Sequence, residues 1–257
     1  MLLLAVVGSG IMAQRLSPGD LGLQLLENST ATAVTLVAII LAVGPVSGAH
    51  LNPVVSLADR LFGGLTWRDT FAYWVAQVIG GLIGTVIANL MFGLPAVEVS
   101  SKVRSSPGLW LGEVVATIGL VLTIFGVVRS GRSSVAPFAV GAYIGGAYWF
   151  TSSTSFANPA VTIARMLTNT FAGIAPASAL PFIAAQLVAG LLAVLLVRIL
   201  YPTMGLAAGK VVVQHGAIHS LPTLRGQADA TVLIIGRRDR PVQAGSGDRF
   251  VRQRRGK

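Results

Sequence analysis

Five apolar segments of about 20 residues, almost free of charge, constrain this chain more than any other feature. They run at roughly 30–49, 70–92, 109–128, 135–153 and 177–200, bounded by Pro, Gly, Ser or charged clusters such as Arg129-Ser-Gly-Arg132 and Ser105-Ser-Pro-Gly108. A helix of about 20 residues crosses the hydrocarbon core of a bilayer and satisfies its own backbone polar groups where no water is present. Charged residues make up 11% of the 257-residue chain, against roughly 25% in a soluble domain. A water-soluble fold is therefore excluded. The absence of cysteine further excludes a disulfide-stapled module, a thiolate metal site and a cysteine nucleophile.

The formal charge of +10 resides mainly in one region. Residues 1–202 carry nine Lys/Arg and six Asp/Glu, whereas residues 203–257 carry ten and three. We read 1–202 as a membrane domain and 203–257 as a basic, disordered cytoplasmic tail. The clusters Arg237-Arg-Asp-Arg240 and Arg252-Gln-Arg-Arg255 suit anionic lipid headgroups. Nucleic acid is not an expected partner, because only Phe250 interleaves the basic residues. Thr231–Ile235 has strand character with no sheet to join, and His215 and His219 lack the further ligands of a metal site. No metal, cofactor or enzymatic activity is expected.

The membrane domain contains an internal repeat. Ala49-His-Leu-Asn-Pro-Val-Val-Ser-Leu-Ala58 aligns with Ser155-Phe-Ala-Asn-Pro-Ala-Val-Thr-Ile-Ala164, sharing Asn, Pro, Val and Ala at an offset of 106. A second echo pairs Ala76-Gln77 and Gly81 with Ala185-Gln186 and Gly190. The repeats span about 1–93 and 109–202. An odd number of helices in each places the two halves in opposite orientation across the membrane. The first apolar run, Leu2 to Ala13, is only 12 residues long. No positive region precedes it and Gln14-Arg15-Leu16 is no small-residue cleavage site, so a secretory leader fits poorly. Alignment of the halves sets the partner of Glu113 about five residues upstream of Met1, which leads us to expect an N-terminally truncated first helix.

Asn is among the strongest N-caps and Pro suits the first helical position, so each Asn-Pro reads as the start of a short helix. Half-helices at bilayer depth are tolerated where they pack in protein or line a watery cavity. Two of them entering from opposite faces meet N-terminus to N-terminus, which disfavours cations and leaves the Asn amides to donate to neutral polar solutes.

This arrangement resembles the aquaporin and glycerol-facilitator (major intrinsic protein) family, on the strength of Ser47-Gly-Ala-His-Leu-Asn-Pro-Val-Val-Ser56, Phe156-Ala-Asn-Pro-Ala-Val161, Gln77, Gln186 and Glu113. The resemblance implies an all-α membrane protein, an inverted-repeat bundle of six transmembrane helices plus two half-helices. It further implies one pore per subunit, a homotetramer, and both termini cytoplasmic at the cell membrane. The pore motif is Asn52, Pro53 and Val54 with Asn158, Pro159 and Ala160. Structural support falls to Glu113, with His50 bonding loop backbone and Gln77 and Gln186 bonding between helices. Gly80 and Gly84, and Gly141 and Gly145, have the spacing for close helix approach. Arg60, Arg68, Arg129, Arg132 and Arg198 are expected inside, Arg15, Lys102, Arg104 and Arg165 outside.

Two positions depart from the family pattern. Val54 stands where the first motif has Ala, adding methyl groups beside the path. Val161 stands three residues after the second Asn, where the family usually carries Arg; Arg165 follows one turn later, and the selectivity role is not transferred to it. Family spacing gives a constriction of Thr32, Gly146, Ser155 and Val161, which is wide and uncharged. The expectation is a passive channel for water and small uncharged solutes, glycerol or neutral metalloid acids such as arsenous acid. The alternatives are an ion-coupled transporter with inverted repeats and a nonfunctional channel fragment.

Overall fold

The computed structural model describes residues 1–202, and every structural statement below concerns these. The tail, with His215, His219, the Thr231–Ile235 segment and both basic clusters, lies outside the described residues. Eight α-helices follow one another: α1 (Leu2–Leu16), α2 (Leu21–Ser47), α3 (Pro53–Phe62), α4 (Trp67–Met91), α5 (Pro107–Arg129), α6 (Ala136–Phe150), α7 (Pro159–Ala164) and α8 (Pro176–Leu200). Short 3₁₀ turns, Ser133–Val135 and Arg165–Leu167, precede α6 and follow α7.

Local chemistry sets the starts. Asp20 accepts from Leu23 N–H, Thr66 from Asp69 N–H and Ser106 from Leu109 N–H, each satisfying an orphan donor of a first turn. Four helices, α2, α4, α5 and α8, are long and apolar enough to cross a membrane. The helix expected at 30–49 begins nine residues earlier, because Asp20 caps it and its polar first turns face α1. Asn28 Nδ2 donates to Val6 O at 2.8 Å and Ser9 Oγ at 2.9 Å, while Gln24 Nε2 donates to Ser17 O at 2.8 Å. The helix expected to reach residue 153 stops at Phe150, where the chain turns inward toward Asn158.

In each half the shortest helix, the one that follows Asn-Pro, comes third of four: α3 within α1–α4 and α7 within α5–α8. Within the halves α1 packs on α2 and α4, and α5 on α6 and α8; α2 runs along α6 between them. Each half-helix also lies on the last long helix of the other half, α3 on α8 and α7 on α4. Small residues permit this. A Cβ on Gly141 would stand 2.4 Å from Val37 Cγ2, and one on Gly145 3.0 Å from Ala33 Cβ, so both glycines mark the α2–α6 seam. On α4 a Cβ on Gly81 would stand 3.2 Å from Ala164 Cβ and one on Gly84 3.2 Å from Leu3 Cβ, whereas one on Gly80 would meet nothing within 4 Å among the described residues. Outward-facing Phe71, Val75, Ile79 and Ile83 of α4, and Leu192, Leu195 and Ile199 of α8, are exposed. An apolar exterior around a packed interior is what a lipid environment requires.

Candidate functional site

The loops entering α3 and α7 hold the same unusual backbone in the same register. Ala49 and Leu51 have φ of 48° and 53°, and Ser155 and Ala157, each 106 positions later, have 50° and 47°. Left-handed backbone costs a non-glycine residue roughly 1–2 kcal/mol, so the surrounding bonds must hold it. They do so reciprocally. Asn52 Nδ2 donates to Ala157 O at 2.7 Å, and Asn158 Nδ2 donates to Leu51 O at 2.7 Å. Each of these two left-handed residues presents its carbonyl to the asparagine of the opposite half.

The asparagine oxygens point the other way. Asn52 Oδ1 accepts from Val54 N–H at 2.9 Å, and Asn158 Oδ1 accepts from Ala160 N–H at 3.0 Å and Val161 N–H at 3.2 Å, capping the two half-helices behind Pro53 and Pro159. With oxygen and one amide hydrogen committed, each side chain is fixed in orientation. Both line one cavity, to which the remaining N–H is available.

A second layer repeats as well. Four residues after each asparagine a hydroxyl returns to its carbonyl: Ser56 Oγ to Asn52 O at 3.3 Å, Thr162 Oγ1 to Asn158 O at 2.9 Å. Gln77 Nε2 donates to Ser56 Oγ at 3.0 Å, and Gln186 Nε2 donates to Thr162 Oγ1 at 2.9 Å. The two glutamines thus join α4 to α3 and α8 to α7. Glu113, fully buried, accepts from Phe156 N–H at 2.9 Å, Ala157 N–H at 2.8 Å and Gln186 Nε2 at 2.6 Å. Three donors satisfy a carboxylate that burial would otherwise penalise heavily. His50 departs from expectation: its Nδ1 pairs with the Ser56 hydroxyl at 3.1 Å and its ring lies 5.1 Å from Tyr73, so a side chain rather than loop backbone holds it.

The cavity has a volume of about 130 Å³ and threads the bundle lengthwise. One end is bounded by Ile40, Val128 and Ser133; the Asn pair stands between; Thr32, Tyr148, Ser155, Val161 and Arg165 surround the other end. Tyr148 Oη donates to Thr32 Oγ1 at 3.4 Å across that end. The segment before α5 carries Arg104, whose Nε donates to Gly173 O at 3.0 Å and whose Cζ lies 5.2 Å from the Phe156 ring, and Lys102, whose Nζ donates to Phe171 O at 3.0 Å. Burial lowers the Lys102 amine from its usual 10.5 to about 8, and neighbouring Arg104 and Arg165 add to the shift.

Comparison with known proteins gives the same architecture a lineage. The family model described as major intrinsic protein matches residues 1–155, more than half of the chain. The chain is 52% identical over 198 residues to aquaglyceroporin AqpS of Rhizobium meliloti (strain 1021), an alignment covering 77% of this chain and 84% of that protein. The chain belongs to the major intrinsic protein family. More distant relatives include Aquaporin-8 of Notomys alexis, 33% identical over 46% of this chain and 49% of its own length, and Aquaporin Z of Brucella melitensis biotype 1, 33% identical over 52% and 64%. Among solved structures, the X-ray structure of the aquaglyceroporin from Plasmodium falciparum superposes with a TM-score of 0.60 at 20% identity, covering 80% of this chain and 95% of that one, a likeness of fold.

Set against the family pattern, three positions read differently in three dimensions. Val54 is buried among Ala58, Phe125 and Val194 and does not line the cavity, so its methyl groups meet α8 rather than the path. Gly146 is exposed and also does not line the cavity; Ile144 and Tyr148, one helical turn apart, occupy that wall. Two residues along a helix is a rotation of about 200°, so counting without gaps placed the constriction on the outer face. The third position is the cation. Arg165 reaches the cavity that Val161 lines, so this end is neither uncharged nor free of bulk. No sequence spacing named Tyr148; the signal available was its i+4 relation to Ile144 on an otherwise small-residue helix.

Proposed function

We propose that this chain is a passive transmembrane channel for water and small uncharged solutes of the glycerol class, with neutral metalloid acids such as arsenous acid as further candidates. The observation that carries the reading is the reciprocal Asn52–Ala157 and Asn158–Leu51 pairing, which fixes two amide donors on one cavity between two half-helix N-termini. Donors held in place replace the water a hydroxylated solute gives up on entry, while the helix ends oppose cations. Asn52, Pro53, Asn158, Pro159 and Ala160 form the pore motif, and Thr32, Tyr148, Ser155 and Val161 the outer constriction. Glu113, His50, Gln77 and Gln186 support the loops. Of the two fully buried carboxylates among the described residues, Glu113 has both oxygens engaged by N–H donors, and neither Glu113 nor Asp59 lines the cavity. Kinship with an aquaglyceroporin supports the solute class.

The working unit in this reading is a homotetramer in the cell membrane with both termini cytoplasmic. Arg60, Arg68, Arg129, Arg132 and Arg198 then face the cytoplasm together with the basic tail, in line with the cytoplasmic excess of Lys and Arg. Reconstitution into proteoliposomes tests the function. Osmotic shrinkage well above that of empty vesicles, with non-saturating, gradient-following glycerol entry, is the expected result. Concentrative, protonophore-sensitive uptake would overturn it.

A further inference from the structure

Arg165 has no basic counterpart in the first half, where the 106-residue offset places Asp59. The arginine lies in the 3₁₀ turn after α7, four residues beyond Val161, and at 2% exposure its side chain is among the largest in the interior. Its Nε donates to Ala172 O, and its Cζ sits 3.5 Å from the centroid of the Phe156 ring. Those two contacts hold the guanidinium over the face of the ring. They leave the terminal nitrogens without a protein acceptor among the described residues, although the side chain lines the cavity beside Ser155, Tyr148 and Val161.

The surroundings neutralise this charge only in part. Arg104 Cζ lies 5.2 Å from the same ring, with its donors on Gly173 O and Phe171 O, and Lys102 is held on Phe171 O. Glu113 acts on Arg104 and Arg165 through space, but its oxygens accept from Phe156, Ala157 and Gln186 and pair with neither guanidinium. A guanidinium with open donors, backed by two further cations and offset by the single carboxylate of Glu113, gives this end of the cavity a net positive potential. Enclosed by protein, this charge is screened less than one on an open surface.

We propose that Arg165 determines specificity at this end of the channel. From one turn beyond the Asn-Pro-Ala-Val segment it supplies a positive charge and open N–H donors to the solute path, rejecting cations and holding the oxygens of hydroxylated solutes. A guanidinium from position 165 thereby does what the side chain of Val161, lacking any donor, does not. The inference rests on the channel reading above.

The test uses the full chain in proteoliposomes, with osmotic water permeability, glycerol entry, proton flux and potassium flux measured on the same vesicles. We expect Arg165→Leu to raise proton or potassium permeability at least tenfold relative to the water permeability of the same vesicles, whereas Arg165→Lys stays tight. The double variant Val161→Arg/Arg165→Val returns the charge to the path from one turn earlier and restores tightness. A purely structural staple would move water and ion permeability together and would not be rescued by the double variant. Should Arg165→Leu not reconstitute, Arg165→Gln keeps a donor for Ala172 O without the charge and decides by the same ion leak. A wild-type channel that conducts water, with Arg165→Leu or Arg165→Gln no leakier than it, overturns the role of Arg165 and leaves the channel reading standing. A wild type without water flux overturns both.

Discussion

Val54 lies against Gly190 so closely that a Cβ on the glycine would stand 2.5 Å from Val54 Cγ1. The valine that replaces the smaller residue of the first motif is accommodated by the missing side chain on α8. Gly190→Ala is therefore expected to destabilise the bundle by about 1–3 kcal/mol through overpacking. Thermal unfolding in detergent should show the loss, and Val54→Ala/Gly190→Ala should recover most of it. A double variant no more stable than Gly190→Ala would show that the clash lies elsewhere.

Removing Asn158 tests the reciprocal pairing. Asn158→Ala deletes the α7 cap, worth about 1–2 kcal/mol, and leaves the Leu51 carbonyl without its 2.7 Å donor. Water permeability per folded channel should fall severalfold, and Asn52→Ala should behave alike because Ala157 O loses the matching bond. Unchanged flux in both variants would mean that the amides do not set the path.

Glu113 is expected to act on folding before flux. Glu113→Gln puts an amide opposite three N–H donors, so at least one contact becomes donor against donor, at a cost of about 1–3 kcal/mol. The yield of monodisperse protein should drop, and Glu113→Ala should be worse still. A fully stable Glu113→Gln with altered solute selectivity would instead make Glu113 part of the path.

At the outer constriction the register of α6 predicts opposite outcomes for neighbouring positions. Tyr148→Ala should admit polyols longer than glycerol, measured by vesicle reswelling, because it removes a ring from the cavity wall. Gly146→Leu should leave permeation unchanged, because residue 146 faces outward. The reverse pair of results would require α6 to be rotated, with residue 146 toward the cavity and Tyr148 away from it.

The chain has no cysteine, so mercurials should not block it through a thiol. Ser155→Cys places a thiol on the cavity wall. Mercury-dependent loss of water flux, reversed by a competing thiol, should follow in that variant alone.

Much of the fold was legible beforehand because its determinants are local. Long apolar runs announce membrane helices, Asn-Pro announces capped half-helices, and the 106-residue offset announces two halves. Gln77 and Gln186 were readable as bonds between helices because an amide in an apolar segment needs a partner. The start of α2 was not, since Gln24 and Asn28 look like loop residues until α1 and the turn after it supply their acceptors.

By itself the sequence determined the membrane setting, the repeat and the asparagine pair, since hydropathy, capping and repeat spacing act along the chain. Only the tertiary structure decided which side chains meet the path. Val54 turns to Gly190, Gly146 turns outward, Tyr148 takes the wall, and Arg165 arrives from a turn further on. Those outcomes depend on helix rotation and on the reach of a long side chain, quantities fixed when helices pack and carried by no single segment alone.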